Sequence, residues 1–216
     1  MQLEFNYLCK ECMYQLSMSV EQHILQLINQ LQQVSSSIHL NERYLHHLFS
    51  YQIQQEYPVS LDNNSLLHPE WATYIKEERP GGQYQRNGNK YLISNSSGSS
   101  GFIDFAIGNV KKPDYAIEFK MSRAFNREGL IYDYMKLLDK RNHFHKALSV
   151  AVYYGHSSHF QLCETDTLKG CLEEAVSRLN GNFSEREHSF YYLEIINGHP
   201  AKILECSNSL EFIEIK

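Results

Sequence analysis

Two carboxylates and an ammonium in the stretch Gly101 to Lys120, GFIDFAIGNVKKPDYAIEFK, are spaced so that chemistry could be done between them. Phe102 to Ile107 and Tyr115 to Lys120 are short, apolar and rich in aromatic and β-branched residues. Between them, Gly108 to Asp114 holds Gly, Asn, Lys-Lys and Pro-Asp, so the spacing predicts a β-hairpin with its loop over 108–114. Alternation along a strand puts Ile103, Phe105 and Ile107 on one face and Phe102, Asp104 and Ala106 on the other, with Ala116, Glu118 and Lys120 sharing one face of the second strand. A hairpin symmetric about Lys111 sets Asp104 across from Glu118. Like charges in that position destabilise a sheet, so something must compensate. A divalent cation, Mg²⁺ or Mn²⁺, does so naturally, because hard ions take one or two carboxylates and leave other positions to water and phosphate. Lys120, two residues beyond Glu118, would stand beside the ion to orient water or to stabilise charge on a phosphate. The E-x-K triplet alone says little, since Glu214-Ile215-Lys216 repeats it without an upstream acid.

An acid on one strand followed by E-x-K on the next resembles the PD-(D/E)xK, or restriction-endonuclease-like, nuclease superfamily. Asp104, Glu118 and Lys120 carry the motif, with Ile103 where Pro is expected. The resemblance runs over residues 38–155 by order of elements. It implies an α/β fold: a three-layer α-β-α core with a central mixed sheet, in the order α-β-β-β-α-β. It also implies a metal-dependent phosphodiesterase with Asp104 and Glu118 as metal ligands and a further acid from the first core helix.

That helix is predicted from Asn41, a good N-cap, with Leu40 and Leu45 placed as a hydrophobic staple and Leu45, Leu48, Phe49 and Ile53 as its apolar stripe. Glu42 falls within about 20° of Phe49 and Ile53 on the helical wheel, and is the candidate for the further acid the resemblance implies, a third metal ligand at the catalytic site, with Glu56 as runner-up. A first-turn acid is also favoured by the helix dipole alone. Upstream, Val20, Ile24, Leu27, Ile28 and Leu31 predict an amphipathic helix whose Gln-rich outer face points to packing or homodimerisation. The domain division is therefore a helical appendage, 1–37, and a nuclease domain, 38–216.

Prolines at 58, 69 and 80 and Gly81-Gly82 predict mostly loop between Tyr57 and Arg86, around a short piece near Trp71, with Lys90 to Ile93 as the first core strand and a polar turn at 94–101. After Lys120, a helix carries Leu130, Ile131, Tyr134, Leu137 and Leu138 at helical spacing. Asp133 and Lys136 fall off that stripe and read as solvated surface, with contact to substrate as the alternative. Ala147 to Tyr154 reads as a buried central strand. A helix from Thr165 is closed by Asn180-Gly181, and strands follow at 189–196, 202–206 and 210–215, with Asn197-Gly198 as a turn.

The chain has 216 residues and a net charge of −5. Lys and Arg number 2, 13 and 5 over residues 1–75, 76–146 and 147–216, against 7, 8 and 10 Asp and Glu, so the basic excess surrounds the hairpin. Phosphate-backbone binding needs local positive charge of this kind. Five irregularly spaced cysteines argue against a disulfide framework, and Cys9-x-x-Cys12 lacks the second pair of a zinc site. With no transmembrane run and no signal-peptide pattern, the expected address is cytoplasmic, with no membrane partner. The eleven histidines form no strong ligand pattern and read as surface or structural, His143 and His145 being kept as phosphate contacts. No His stands in a convincing ligand position on the first core helix, which favours DNA over RNA. The expectation is a Mg²⁺- or Mn²⁺-dependent DNA endonuclease, against an RNA endonuclease or a non-catalytic nucleic-acid- or protein-binding module on the same fold.

Overall fold

The structure is a computed structural model, and it describes residues 20–33, 41–54, 56–57, 65–73, 84–87, 90–94, 101–123, 126–155, 165–196 and 199–215. Cys9, Cys12, Cys163, Leu40, His156, His159, the 95–100 turn and Asn197-Gly198 lie outside these residues. Elements run α1 (20–32), α2 (Glu42–Ile53), β1 (Leu67–Ala72), β2 (Tyr84–Asn87), β3 (Lys90–Ser94), β4 (Phe102–Asn109), β5 (Lys112–Ser122), α3 (Arg127–Leu138), β6 (Lys146–Gly155), α4 (Thr165–Arg178), β7 (Glu187–Ile196), β8 (Lys202–Ser207) and β9 (Ile213–Glu214).

Seven strands form one mixed sheet in the order β1-β4-β5-β6-β7-β8-β9. The β5-β6 and β6-β7 pairs are parallel and the others antiparallel. The two parallel pairs are joined through α3 and α4, as parallel neighbours need a crossover. Both helices cover one face of the sheet, packing Leu130, Tyr134, Leu168 and Leu172 against Ala116, Ala147 and Phe190. On the opposite face Phe105, Ile117, Phe119 and Val150 meet α2 through Leu45, Phe49 and Ile53, and α1 through Val20, Ile24, Leu27, Ile28 and Leu31. β6 lies between two strands and two helical layers, which explains its unbroken apolar run. No helix among the described residues is long and apolar enough to cross a membrane.

The expected first core strand is corrected. β3 pairs only with β2, and the place beside β4 is taken by β1. β1 contains Pro69, which a sheet tolerates on an edge strand where no ladder donor is missed. The hairpin loop is also shorter than expected, since β4 and β5 leave only Val110 and Lys111 between them. Gly108 allows this with φ 108° at a register shift. A Cβ there would lie 2.5 Å from the Asp114 carboxylate. α2 begins where expected, the Asn41 side chain accepting the Tyr44 N–H at 3.0 Å, and Asn126 caps α3 through Gly129 N–H at 3.0 Å.

A buried charge cluster as candidate active site

The expected hairpin register holds through Phe105↔Ile117, Ala106↔Ala116 and Ile107↔Tyr115, and continued by one step it sets Asp104 against Glu118. At Asp104 the regular ladder gives way. Pairing with β1 passes from Pro69↔Phe105 to Trp71↔Ile103, with Glu70 between them in left-handed backbone at φ 53°. Ile103 joins the α3 side of the core while Phe105 and Ile107 join the α2 side, so the expected sharing of one face by all three fails. The distortion turns the Asp104 carboxylate onto the backbone of the next strand, where Oδ2 accepts the Phe119 N–H at 2.7 Å. Phe119 is the middle residue of Glu118-Phe119-Lys120, so the acid of the first strand is bonded to the centre of the E-x-K triplet.

Asp104 Oδ2 also meets His46 Nε2 at 3.3 Å. His46 stands one turn after Glu42 on α2, its ring against Phe105 and Phe119 with centroids 5.4 and 5.8 Å away. The bond to Asp104 raises the His46 pKa against the opposing effect of burial, with the charges of Glu42 and Glu70 helping. Burial pushes the Asp104 carboxyl up, but the bonds from His46 and the Phe119 N–H outweigh it and hold the pKa below its ordinary value. The expectation that α2 brings no histidine to the site is therefore corrected. The signal was in the sequence, since position 46 lies four residues from Glu42 and three from Phe49, on the same face.

Glu42 reaches Lys120, with Oε2 3.5 Å from Nζ and 3.3 Å from the Met121 N–H. Both side chains are about one-third exposed, 36% and 35%. Lys120 also lies 3.8 Å from Asp133 Oδ2. Asp133 foremost, opposed by burial and aided by Glu42, keeps the Lys120 ammonium charged, its pKa raised. A shallow cleft lined by Lys120, Ser122, Asn126, Tyr153 and Tyr192 opens beside it. Glu56 sits elsewhere, 3.3 Å from His23 of α1. His143 and His145 are exposed at the start of β6, which pairs with Tyr115, five residues from Lys120 along β5.

Glu118 is 3% exposed, and Asp133 and Lys136, expected on the surface, are 4% and 5% exposed. Lys136 Nζ lies 2.5 Å from Glu118 Oε1, 3.1 Å from Asp133 Oδ1 and 2.9 Å from the Phe102 carbonyl. The other Asp133 oxygen, Oδ2, is buried without a hydrogen bond. Burial drives the Glu118 carboxyl well above the usual range, Lys136 opposing and Asp133 and Asp104 adding to it. Burial works against the Lys136 ammonium too, but Asp133 and Glu118 prevail and raise its pKa. With Asp133 and Glu118 both against it, the Lys136 ammonium stays charged.

The carboxylates and carbonyl form an oxygen-only donor set, the kind a hard divalent ion takes, and the unbonded Asp133 oxygen has acceptor capacity to spare. Among the described residues no three His, Cys, Asp or Glu side chains are gathered as a metal-holding group. The local basic excess is partly spent inside the protein, with Lys136 buried, Arg141 paired to Asp139, and Lys146 paired to Glu21 and Glu187. Comparison with known proteins gave no match to any family model, any curated protein or any solved structure.

Proposed function

We propose that the chain is a metal-dependent phosphodiesterase acting on nucleic acid, built on a restriction-endonuclease-like core. The observation that carries this reading is the bond from Phe119 N–H to Asp104, which locks an acid of one strand to the middle of E-x-K on its neighbour. The order over 42–155 supports it: helix α2, three antiparallel strands β1, β4 and β5, helix α3, and parallel strand β6. Asp104 and Glu118 would hold Mg²⁺ or Mn²⁺, which when bound supplies Lewis-acid activation of a phosphodiester. Lys120, held by Glu42 and one-third exposed beside the adjoining cleft, would place a positive charge beside the phosphate. Glu42 is thus a positioning residue for Lys120, and a metal ligand only if its carboxylate leaves that ammonium.

DNA remains the substrate of the first reading. RNA is the second, favoured by His46, the first-helix histidine now found against Asp104. The test is cleavage of supercoiled plasmid and of single-stranded RNA in Mg²⁺ and Mn²⁺ by wild type and Lys120→Met, with binding measured in Ca²⁺. Lys120→Met is expected to keep nucleic-acid binding and lose about 100-fold or more in cleavage, the scale of removing a group that stabilises developing charge. Wild type that binds but cleaves neither polymer in either ion makes the non-catalytic module the better reading.

A further inference from the structure

Three oxygens converge on the Lys136 ammonium from three elements: Glu118 Oε1 of β5, Asp133 Oδ1 of α3 and the Phe102 carbonyl of β4. An ammonium has three N–H bonds, so oxygen alone fills its shell. Mg²⁺, Mn²⁺ and Ca²⁺ take the same donors, carboxylate and carbonyl oxygen. The acids also offer more than one monovalent cation uses. Asp133 Oδ2, on a side chain more than nine-tenths buried, has no hydrogen bond, and Lys120 at 3.8 Å is beyond its hydrogen-bond reach.

We propose that Glu118, Asp133 and the Phe102 carbonyl form a divalent-cation site that the Lys136 ammonium fills in the metal-free protein, ammonium and ion being alternative occupants. Lys136 is then a tethered stand-in for the ion. It holds strand and helix together while no metal is bound, and it must withdraw from Glu118 when one enters. Asp133 becomes a ligand that the E-x-K pattern does not contain. The proposal rests on the metal reading above only for Glu118, and it is separable from that reading by experiment.

The test is calorimetric titration of Mn²⁺ and Ca²⁺ into the full chain as wild type, Lys136→Met, Asp104→Ala and the double variant Glu118→Gln/Lys136→Met, with thermal unfolding in EDTA and in each ion. Lys136→Met is expected to melt below wild type in EDTA, to recover in Mn²⁺, and to bind Mn²⁺ at least about tenfold more tightly, because the ion no longer displaces an ammonium. The double variant, lacking both charges, should fold in EDTA and show no gain. If no folded variant binds Mn²⁺ more tightly than wild type, the proposal is overturned, and that includes Lys136→Met remaining unfolded in both media. Should wild type take no Mn²⁺ while Lys136→Met does, the shared site stands and the metal-dependent reading of the native protein falls. If wild type and Lys136→Met bind alike and Asp104→Ala abolishes binding, that reading stands and the stand-in falls.

Discussion

Helix α3 carries two clusters of acids against basic side chains, and they differ in what surrounds them. In its first turn Glu128 meets Arg178 at 2.8 and 3.1 Å, while Glu174 pairs with Arg178 and with Arg127, a ladder open to water between α3 and α4. Further along, Asp133 and Lys136 close on Glu118 with almost no solvent access. Burial alone does not separate them, because Asp139, one residue past α3, is fully buried and well bonded: Arg141 donates to both of its oxygens, and Arg186 binds the Asp139 backbone carbonyl. What sets the Glu118 cluster apart is burial with an acid oxygen, Asp133 Oδ2, left without a hydrogen bond. A solvated ladder costs little to assemble, whereas buried acids short of donors carry a standing desolvation cost.

The largest effect that would break this comparison is on the inner cluster. In metal-free buffer Lys136→Met should lower unfolding stability by about 3–5 kcal/mol, since two buried carboxylates lose their cation. Denaturant titration reads this directly. A loss under about 1 kcal/mol would mean that the buried acids do not need the Lys136 cation, and the cluster would then be no more demanding than the outer ladder.

The inner cluster was half legible in the sequence. The hairpin and its symmetry about Lys111 follow from alternation and turn residues, so Asp104, Glu118 and Lys120 were found by type and spacing. Lys136 and Asp133 were missed because the helical stripe assumes one wet face. α3 is hemmed in by the sheet, by α4 alongside it and by β3, and residues 129–131 and 133–138 are all buried. β1 was read as loop because Pro69 breaks strands in general, and only the pairing with β4 reveals an edge where it is tolerated. His46 was passed over beside the more conspicuous acid at 42, although both lie on the face turned to the sheet.

A middle-sized effect sharpens the comparison through pH. His46 is raised from its ordinary value of 6.5, so its contribution is complete below that value and is lost as pH rises through the folded value. Asp104 is lowered from 3.8, so its contribution is complete above that value and is lost as pH falls through the folded value. The pair should therefore stabilise most between about pH 4 and 6.5. In EDTA, His46→Gln should cost about 1–2 kcal/mol at pH 6, and the difference from wild type should shrink toward pH 9. Parallel stability profiles for the two proteins above pH 6 would show that the histidine carries no charge toward Asp104.

The smallest effect belongs to the outer ladder, and it completes the contrast. Arg178 bridges Glu128 and Glu174, both of which sit below the ordinary carboxylate pKa because of bonds to arginines. Yet each of these acids remains about 30% exposed, and water replaces much of what a lost arginine provided. Arg178→Ala should cost about 0.2–1 kcal/mol, and about 0.5 M salt should remove most of that difference, because exposed pairs are screened over a few ångströms. The Lys136→Met loss should hardly change over the same salt range, since buried charges are screened far less by monovalent salt. Equal salt sensitivity in the two variants would mean that water and ions reach Glu118 as easily as Glu128, and Lys136 would lose its claim to stand in a closed cation site.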